Sequence, residues 1–238
     1  MTQIIYRLLN STDRDRYSKI RLECLTNYPD YFGDSYEEEI NAGQSKFDKT
    51  FLLGKDHSFL YGAFSQGILI GISGFIQQKR IKAGHRGDLV QVYVDPSFSG
   101  EGIGSRLIAL TIAKAFENVI IDQILLSVVL SNNKATRLYK KFGFVLYGVI
   151  KNYFKTADHS WTQVFMTLTR QTYITNTIIK ENIWWQSERK QWQYQEAYYV
   201  KTVLPIFPLV TFSFWRITVK QDKMNECINY FILPWQIY

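Results

Sequence analysis

The sequence predicts an α/β domain followed by an aromatic C-terminal extension, and three observations lead there. β-rich runs and helical stretches alternate in the order β-α-α-β-β-β-α-β-α-β-β. Two of the connections, Ser65-Gln66-Gly67 and Lys155 to Asp158, are short enough to be hairpins. Glycine use then stops: all fourteen glycines fall between Gly33 and Gly148, and none lies in the 68 residues from Gln171 to Tyr238. Five of the six tryptophans (Trp184, Trp185, Trp192, Trp215, Trp235) belong to that glycine-free stretch. A domain edge is therefore expected near residue 170, dividing a domain of residues 1–170 from a tail of residues 171–238.

Each element has a local reason. Gln3 to Leu8 reads as a strand, and Asn10-Ser11-Thr12-Asp13 offers N-caps for a helix running to about Leu25. A short helix includes Ser35 to Ile40. Ser58 to Phe64 and Ile68 to Ile76 are β-rich runs, and Leu89 to Val94 forms the next strand, ended by Pro96. After the glycine-rich segment Ser99 to Ser105, Ile103 to Ala113 is apolar apart from Arg106 and reads as a buried helix. Ile124 to Leu130 is a continuous apolar strand covered on both faces. Asn133 to Phe142 is a short helix stopped by Gly143, and strands at about 144–154 and 160–168 close the domain.

Composition removes several classes. With 46% hydrophobic and 21% charged residues the chain can build a core, which argues against disorder. Its two cysteines, Cys24 and Cys227, form no disulfide framework, and His57, His85 and His159 have no ligand-like spacing, so no metal is assigned. A reducing compartment fits this cysteine usage. The amino terminus MTQIIYRLLNSTDRDR lacks a secretory apolar region, so the cytoplasm is the expected location. The net charge of +7 suits a polyanionic partner such as nucleic acid, an acidic membrane or a phosphate-bearing cofactor, without choosing among them.

The segment that carries chemistry runs from Val92-Tyr93-Val94-Asp95-Pro96 through Ser99-Gly100-Glu101-Gly102-Ile103-Gly104-Ser105, a strand feeding a glycine loop that opens a helix. Glycines on alternate positions let main-chain amides approach a ligand, and the helix dipole favours a pyrophosphate there. The spacing is not the Gly-x-Gly-x-x-Gly of dinucleotide folds, and no Gly-Lys-Ser/Thr follows as in a phosphate loop.

The segment resembles the acetyl-coenzyme A loop of the GNAT superfamily of N-acetyltransferases, Gln/Arg-x-x-Gly-x-Gly/Ala. Downstream, Asn132-Asn133-Lys134-Ala135-Thr136-Arg137-Leu138-Tyr139-Lys140-Lys141-Phe142-Gly143-Phe144 is similar to that family's Asn-x-x-Ala-x-x-Leu-Tyr-x-x-x-Gly-Phe signature. The opening, Arg21-Leu22-Glu23 through Tyr28-Pro29-Asp30-Tyr31-Phe32-Gly33 to Ser35-Tyr36-Glu37-Glu38-Glu39, resembles a bacterial branch, so the likeness covers residues 3 to 169. It implies a three-layer fold, with a mixed, mostly antiparallel central sheet flanked by helices. Acetyl-CoA is the implied co-substrate, held by Val92, Tyr93, Val94, Ser99, Gly100, Glu101, Gly102, Ile103, Gly104, Ser105, Asn132 and Tyr139. Two departures stand out: Ser99 replaces the usual Arg or Gln, and Glu101 adds an anion, together costing about 1 to 2 kcal/mol of phosphate attraction at a solvated site.

The implied reaction is direct attack of a primary amine, on a small molecule or a protein, on the thioester. Asp88, Gln91 and His85 are the candidates for taking or relaying the amine proton, although Gln91 is no base by itself. Tyr139 occupies the position of the general acid for the leaving thiolate, and a backbone amide of Val92 or Val94 would polarise the carbonyl. Phe32, Tyr36, Glu37 and His85 are the candidate substrate contacts. Glu37, Glu38 and Glu39 also read as a solvated helix face, and Lys79, Arg80, Lys82, His85 and Arg86 as a solvated hairpin tip. The expected partner is the amine substrate, with no nucleic acid, for a monomer or homodimer. Thr202 to Trp215 is too short for a straightforward spanning helix. Two alternatives are retained: a catalytically weak acyl-CoA-binding or sensing module, and a peripheral membrane protein acting through the tail.

Overall fold

The computed structural model describes residues 3–42 and 57–178. In chain order the elements are β1 (Ile4–Leu8), α1 (Arg14–Asn27), α2 (Tyr36–Ala42), β2 (Phe59–Ser65), β3 (Ile68–Gln77), β4 (Arg86–Val94), α3 (Ile103–Glu117), β5 (Gln123–Val129), α4 (Asn133–Lys141), β6 (Val145–Lys155) and β7 (Ser160–Thr169). A further helix, α5, covers 170–178. The order expected from the sequence is the order found, with α5 added across the anticipated edge. The rest of the tail, residues 179–238 with its five tryptophans, lies outside the described residues.

The helices start where capping chemistry dictates. Before α1, the Asn10 side chain accepts from the Thr12 amide at 2.9 Å and the Asp13 carboxylate accepts from the Asn10 amide at 3.1 Å. This reciprocal pair satisfies amides that a helix start leaves free. Asp13, fully buried, also accepts from Arg7 on β1 at 2.6 Å, which ties the first strand to the first helix. On α1, Tyr17, Ile20, Arg21, Cys24 and Leu25 recur at helical spacing and form the buried face.

All seven strands form one sheet in the order β1-β2-β3-β4-β5-β7-β6. Every neighbouring pair is antiparallel except β4 with β5. Leu60, Phe64, Ile72 and Tyr93 pack with Tyr17, Ile20, Cys24 and Leu25 of α1. Phe75, Leu89, Ile124, Leu126 and Val128 pack with Ile108, Ile112 and Phe116 of α3, and with Tyr139 of α4. Each such large apolar side chain stabilises the fold by roughly 1.5 to 3 kcal/mol. Among the described residues no helix is long and apolar enough to cross a membrane.

Strand β4 departs from expectation in a useful way. It begins at Arg86 rather than Leu89, because Arg86-Gly87-Asp88, which reads as a polar turn by composition, pairs with Gln123-Ile124-Leu125 of β5. Gly87 is required there, since a Cβ would run into the Phe75 ring. Farther along, Val90 faces Gly74 and Tyr93 faces Ile72, so Gln91 and Val92 together oppose the single residue Ser73. This is a β-bulge, and Gln91 takes it up with a φ of 56°, in the left-handed region. The bulge bends β4 away from β5, and the pairing of these two strands stops at Asp88 and Leu125.

Candidate active site

Where β4 and β5 part, a cleft of 1060 Å³ opens. Beyond Asp88 the β5-facing edge of β4 has no strand partner, so backbone groups between Val90 and Val94 are left to meet a ligand. The glycine loop and the first turn of α3 line the same space. Gly100 and Gly102 have φ of 95° and 77°, and a Cβ placed on either would meet no atom within 4 Å. Their left-handed backbone favours glycine, and the open space beyond them leaves this face of the loop free of side chains. Gly102 caps α3 without a side-chain hydrogen bond, leaving the first amides of a fifteen-residue helix free for an anion. The loop thus fits the pyrophosphate of acetyl-CoA.

Asp88, Gln91, Val92, Tyr93, Val94, Ser99, Gly100, Gly102, Ile103, Gly104, Ser105, Asn132, Tyr139 and Phe32 all line this cleft. The structure does not bring Tyr36, Glu37, Glu101 or His85 to it. Tyr36 is 40% exposed at the start of α2, and Glu37 is exposed beside it. Glu101 is exposed on the loop. His85 uses its carbonyl to accept from the Asp122 and Gln123 amides, which joins the start of β4 to the start of β5.

Asp88 and Tyr139 are among the ionisable groups that line the cleft. Burial pushes the Asp88 carboxyl above its usual range, opposed by the hydrogen bond from Gln78 Nε2 and by the charge of Arg86. Burial likewise raises the Tyr139 phenol, which is 8% exposed and packed edge-on against Phe144, so it stays protonated at neutral pH. Gln91 Oε1 is buried, and its side chain interacts with the phenol of Tyr17 on α1.

Several lining residues carried no signal strong enough to find beforehand. Tyr28 stacks on Tyr31 at 5.8 Å and meets Tyr93 edge-on at 6.1 Å, making an aromatic wall. The Tyr93 hydroxyl donates to Glu23 of α1 at 2.9 Å. Arg21, 1% exposed, donates to Asp34 at 2.6 Å and Glu39 at 3.3 Å, and its guanidinium lies 5.2 Å from the Phe32 ring centre. It anchors the segment that carries Phe32. Lys134 Nζ reaches from α4 to Ser99 Oγ at 3.0 Å. Only the spacing of Lys134, Arg137 and Lys141 on one face of α4 hinted at a cationic edge.

A bulged, splayed parallel pair with an amide loop at its mouth defines an α/β ligand-binding fold whose cleft suits an anionic group. Residues 15–144, more than half of the chain, match the acetyltransferase (GNAT) family. The chain belongs to that family, whose acyl donor is acetyl-CoA. It is similar to an N-alpha-acetyltransferase of the archaeon Sulfurisphaera tokodaii, with 29% identity over 66% of this chain and 90% of that protein. N-alpha-acetyltransferase 30 of Dictyostelium discoideum is 34% identical over 45% of this chain, a match that spans 57% of that protein's length. The structure of yncA from Salmonella typhimurium with its cofactor acetyl-CoA superposes with a TM-score of 0.61 at 17% identity, covering 71% of this chain and 94% of that one. At that identity the likeness is one of fold.

Proposed function

We propose that the chain transfers the acetyl group of acetyl-CoA to the α-amino group of a polypeptide N-terminus, by direct attack of the amine on the thioester. The carrying observation is that Asp88 from β4 and Tyr139 from α4 line one cleft together with the loop amides. Bound in that loop, the coenzyme supplies an activated acyl carbon and a thiolate leaving group.

The chain's own residues do the rest. Only a neutral amine attacks, and an α-amino group with a pKa near 7.8 loses its proton at pH 7 for about 1 kcal/mol, against about 4 to 5 kcal/mol for a lysine side chain. Asp88 is a weak base even with its carboxyl raised, so it suits the α-amine. The names of the two relatives support the same class. Gln91 takes no proton; its carboxamide, which lines the cleft, accepts a hydrogen bond from the amine or from a water that relays to Asp88. The Val92 or Val94 amide polarises the thioester carbonyl. Tyr139 donates its proton to the departing sulfur, whose thiol pKa of about 8.5 demands only modest help. Phe32, Tyr28 and Tyr31 form the apolar wall along which the peptide lies. A reducing, cytoplasmic setting accords with Cys24, a buried free thiol.

The test is thiol release from acetyl-CoA by the full chain with three acceptors: a peptide with a free N-terminus, the same peptide N-acetylated but carrying lysine, and a small diamine. Release with the free N-terminus alone supports the reading. Release with the lysine peptide or diamine at an equal rate overturns the substrate class, and coenzyme binding with no amine-dependent release overturns the activity.

A further inference from the structure

The phosphate loop of this chain lacks a cation where one is expected, and the fold places another within reach. Ser99 opens the loop and Glu101 adds a negative charge. Opposite them, Lys134 Nζ lies 3.0 Å from Ser99 Oγ, across 35 residues of sequence. Lys134 stands in the first turn of α4, at the positive end of that helix, where no acidic side chain balances it. A cation there is unfavourable for the helix dipole. As an exposed side chain it also gives up rotamer freedom for a bond to a neutral hydroxyl, which contributes little to folding. Arg137, one turn on, lines the same cleft. The Lys134 ammonium thus stands beside the loop that leads into the uncapped start of α3, in one cleft with Ser99, Gly102 and Arg137, an arrangement that a bound anion would stabilise.

We infer that Lys134 is the cation of the pyrophosphate subsite, supplied from α4 in place of the side chain missing at Ser99, and that its bond to Ser99 Oγ is exchanged for a phosphate oxygen when the coenzyme binds. Ser99 holds the ammonium at the loop until then. This inference rests on the acetyl-CoA reading. It goes further by assigning the charge to a variable position of the α4 signature rather than to the loop.

Calorimetric titration of the full chain with coenzyme A and dephospho-coenzyme A tests it. Lys134→Ala is expected to weaken both by about tenfold, as for loss of one charge-assisted hydrogen bond, and to leave the thermal midpoint of the free protein unchanged. Its affinity should also fall less steeply with added salt than that of the parent. Ser99→Arg in the Lys134→Ala background should restore affinity. Equal affinities of the parent and Lys134→Ala would overturn the assignment. So would a Lys134→Ala effect that vanishes with dephospho-coenzyme A, which would move the contact to the 3′-phosphate. Failure of the parent protein to bind coenzyme A at all is a different result, and it would instead remove the acetyl-transfer reading.

Discussion

Arg170 lies over Phe116, its guanidinium carbon 5.0 Å from the ring centre while its Nη1 donates to the Phe116 carbonyl at 2.8 Å. The same side chain donates to the Asn118 carbonyl at 2.6 Å and the Ile121 carbonyl at 2.9 Å. One cation thus binds three carbonyls at the negative end of α3 and just after it, and fixes the helix that sets the loop. Arg170→Met keeps the apolar stem but drops these bonds. It is expected to destabilise the protein by about 2 to 3 kcal/mol, since bonds to a charged donor are worth about 1.5 to 3 kcal/mol each before non-additivity, as read by urea unfolding.

Tyr173 of α5 also packs on Phe116, with ring centres 5.0 Å apart. A chain ending at 178 is therefore expected to fold and bind coenzyme. A chain ending at Arg170 keeps the cap and loses this aromatic contact, at a cost of about 1 to 2 kcal/mol. Thermal unfolding of the two shortened chains beside the full one checks both statements, and an insoluble 1–178 chain would show that the tail completes the domain.

Gly104→Val separates ligand approach from folding. Gly104 is helical, and an added Cβ meets only Val94 Cγ2, at 3.5 Å, so the thermal midpoint should hold or rise as a glycine leaves a helix. Coenzyme affinity should fall at least tenfold, because the side chain blocks the amides. Gly102→Val should lose binding too, but with about 1 to 2 kcal/mol of destabilisation from its left-handed backbone. Titration and thermal melts of both variants distinguish the two effects.

Asp88→Asn should lower kcat/KM by about a hundredfold if the carboxylate takes the amine proton. It should also raise stability at neutral pH. The folded carboxyl has a raised pKa, so its contribution is fully favourable below the unfolded value and is lost as pH rises through the folded value. The ionised form is the less stable one, and the amide removes that penalty. Melting curves at pH 4.5 and 7.5 should show the gain mainly at the higher pH, and the acid limb of the parent's rate profile should be absent from the variant's residual activity.

Tyr139→Phe should lower turnover by about tenfold to a thousandfold with coenzyme affinity kept, as for a positioned acid. Burial is what holds the phenol protonated, so the parent should show no loss of activity from Tyr139 ionisation up to pH 9. Unaltered turnover in the Phe variant would reduce Tyr139 to a core aromatic.

The sequence announced the order of elements because strands and helices here follow local periodicity, and the loop because Gly100, Gly102 and Gly104 stand on alternate positions. It gave no sign that Arg86-Gly87-Asp88 is strand, since that depends on Phe75 lying over Gly87, a contact between distant residues. The bulge at Gln91 was equally hidden: glutamine has no preference for a left-handed backbone, and the conformation is imposed by the pairing with β3. Lys134 and Ser99 are separated by the whole of α3 and of β5. Only the folded chain shows that a charge missing from one motif is present in another. Tyr36, Glu37 and His85 were drawn toward the site by neighbourhood in sequence, while α2 and the start of β4 direct them elsewhere.

The short parallel seam between β4 and β5 has a consequence for how the protein comes into being. Strands β1 to β4 form one antiparallel set and β5, β6 and β7 another, and within the sheet only the parallel pairing of Arg86 to Asp88 with Gln123 to Leu125 joins them. Asp88 belongs to the half synthesised first and Tyr139 to the half synthesised second. Neither half of the sheet holds both, so catalytic competence is inherited from neither and depends on three residue pairs at the seam.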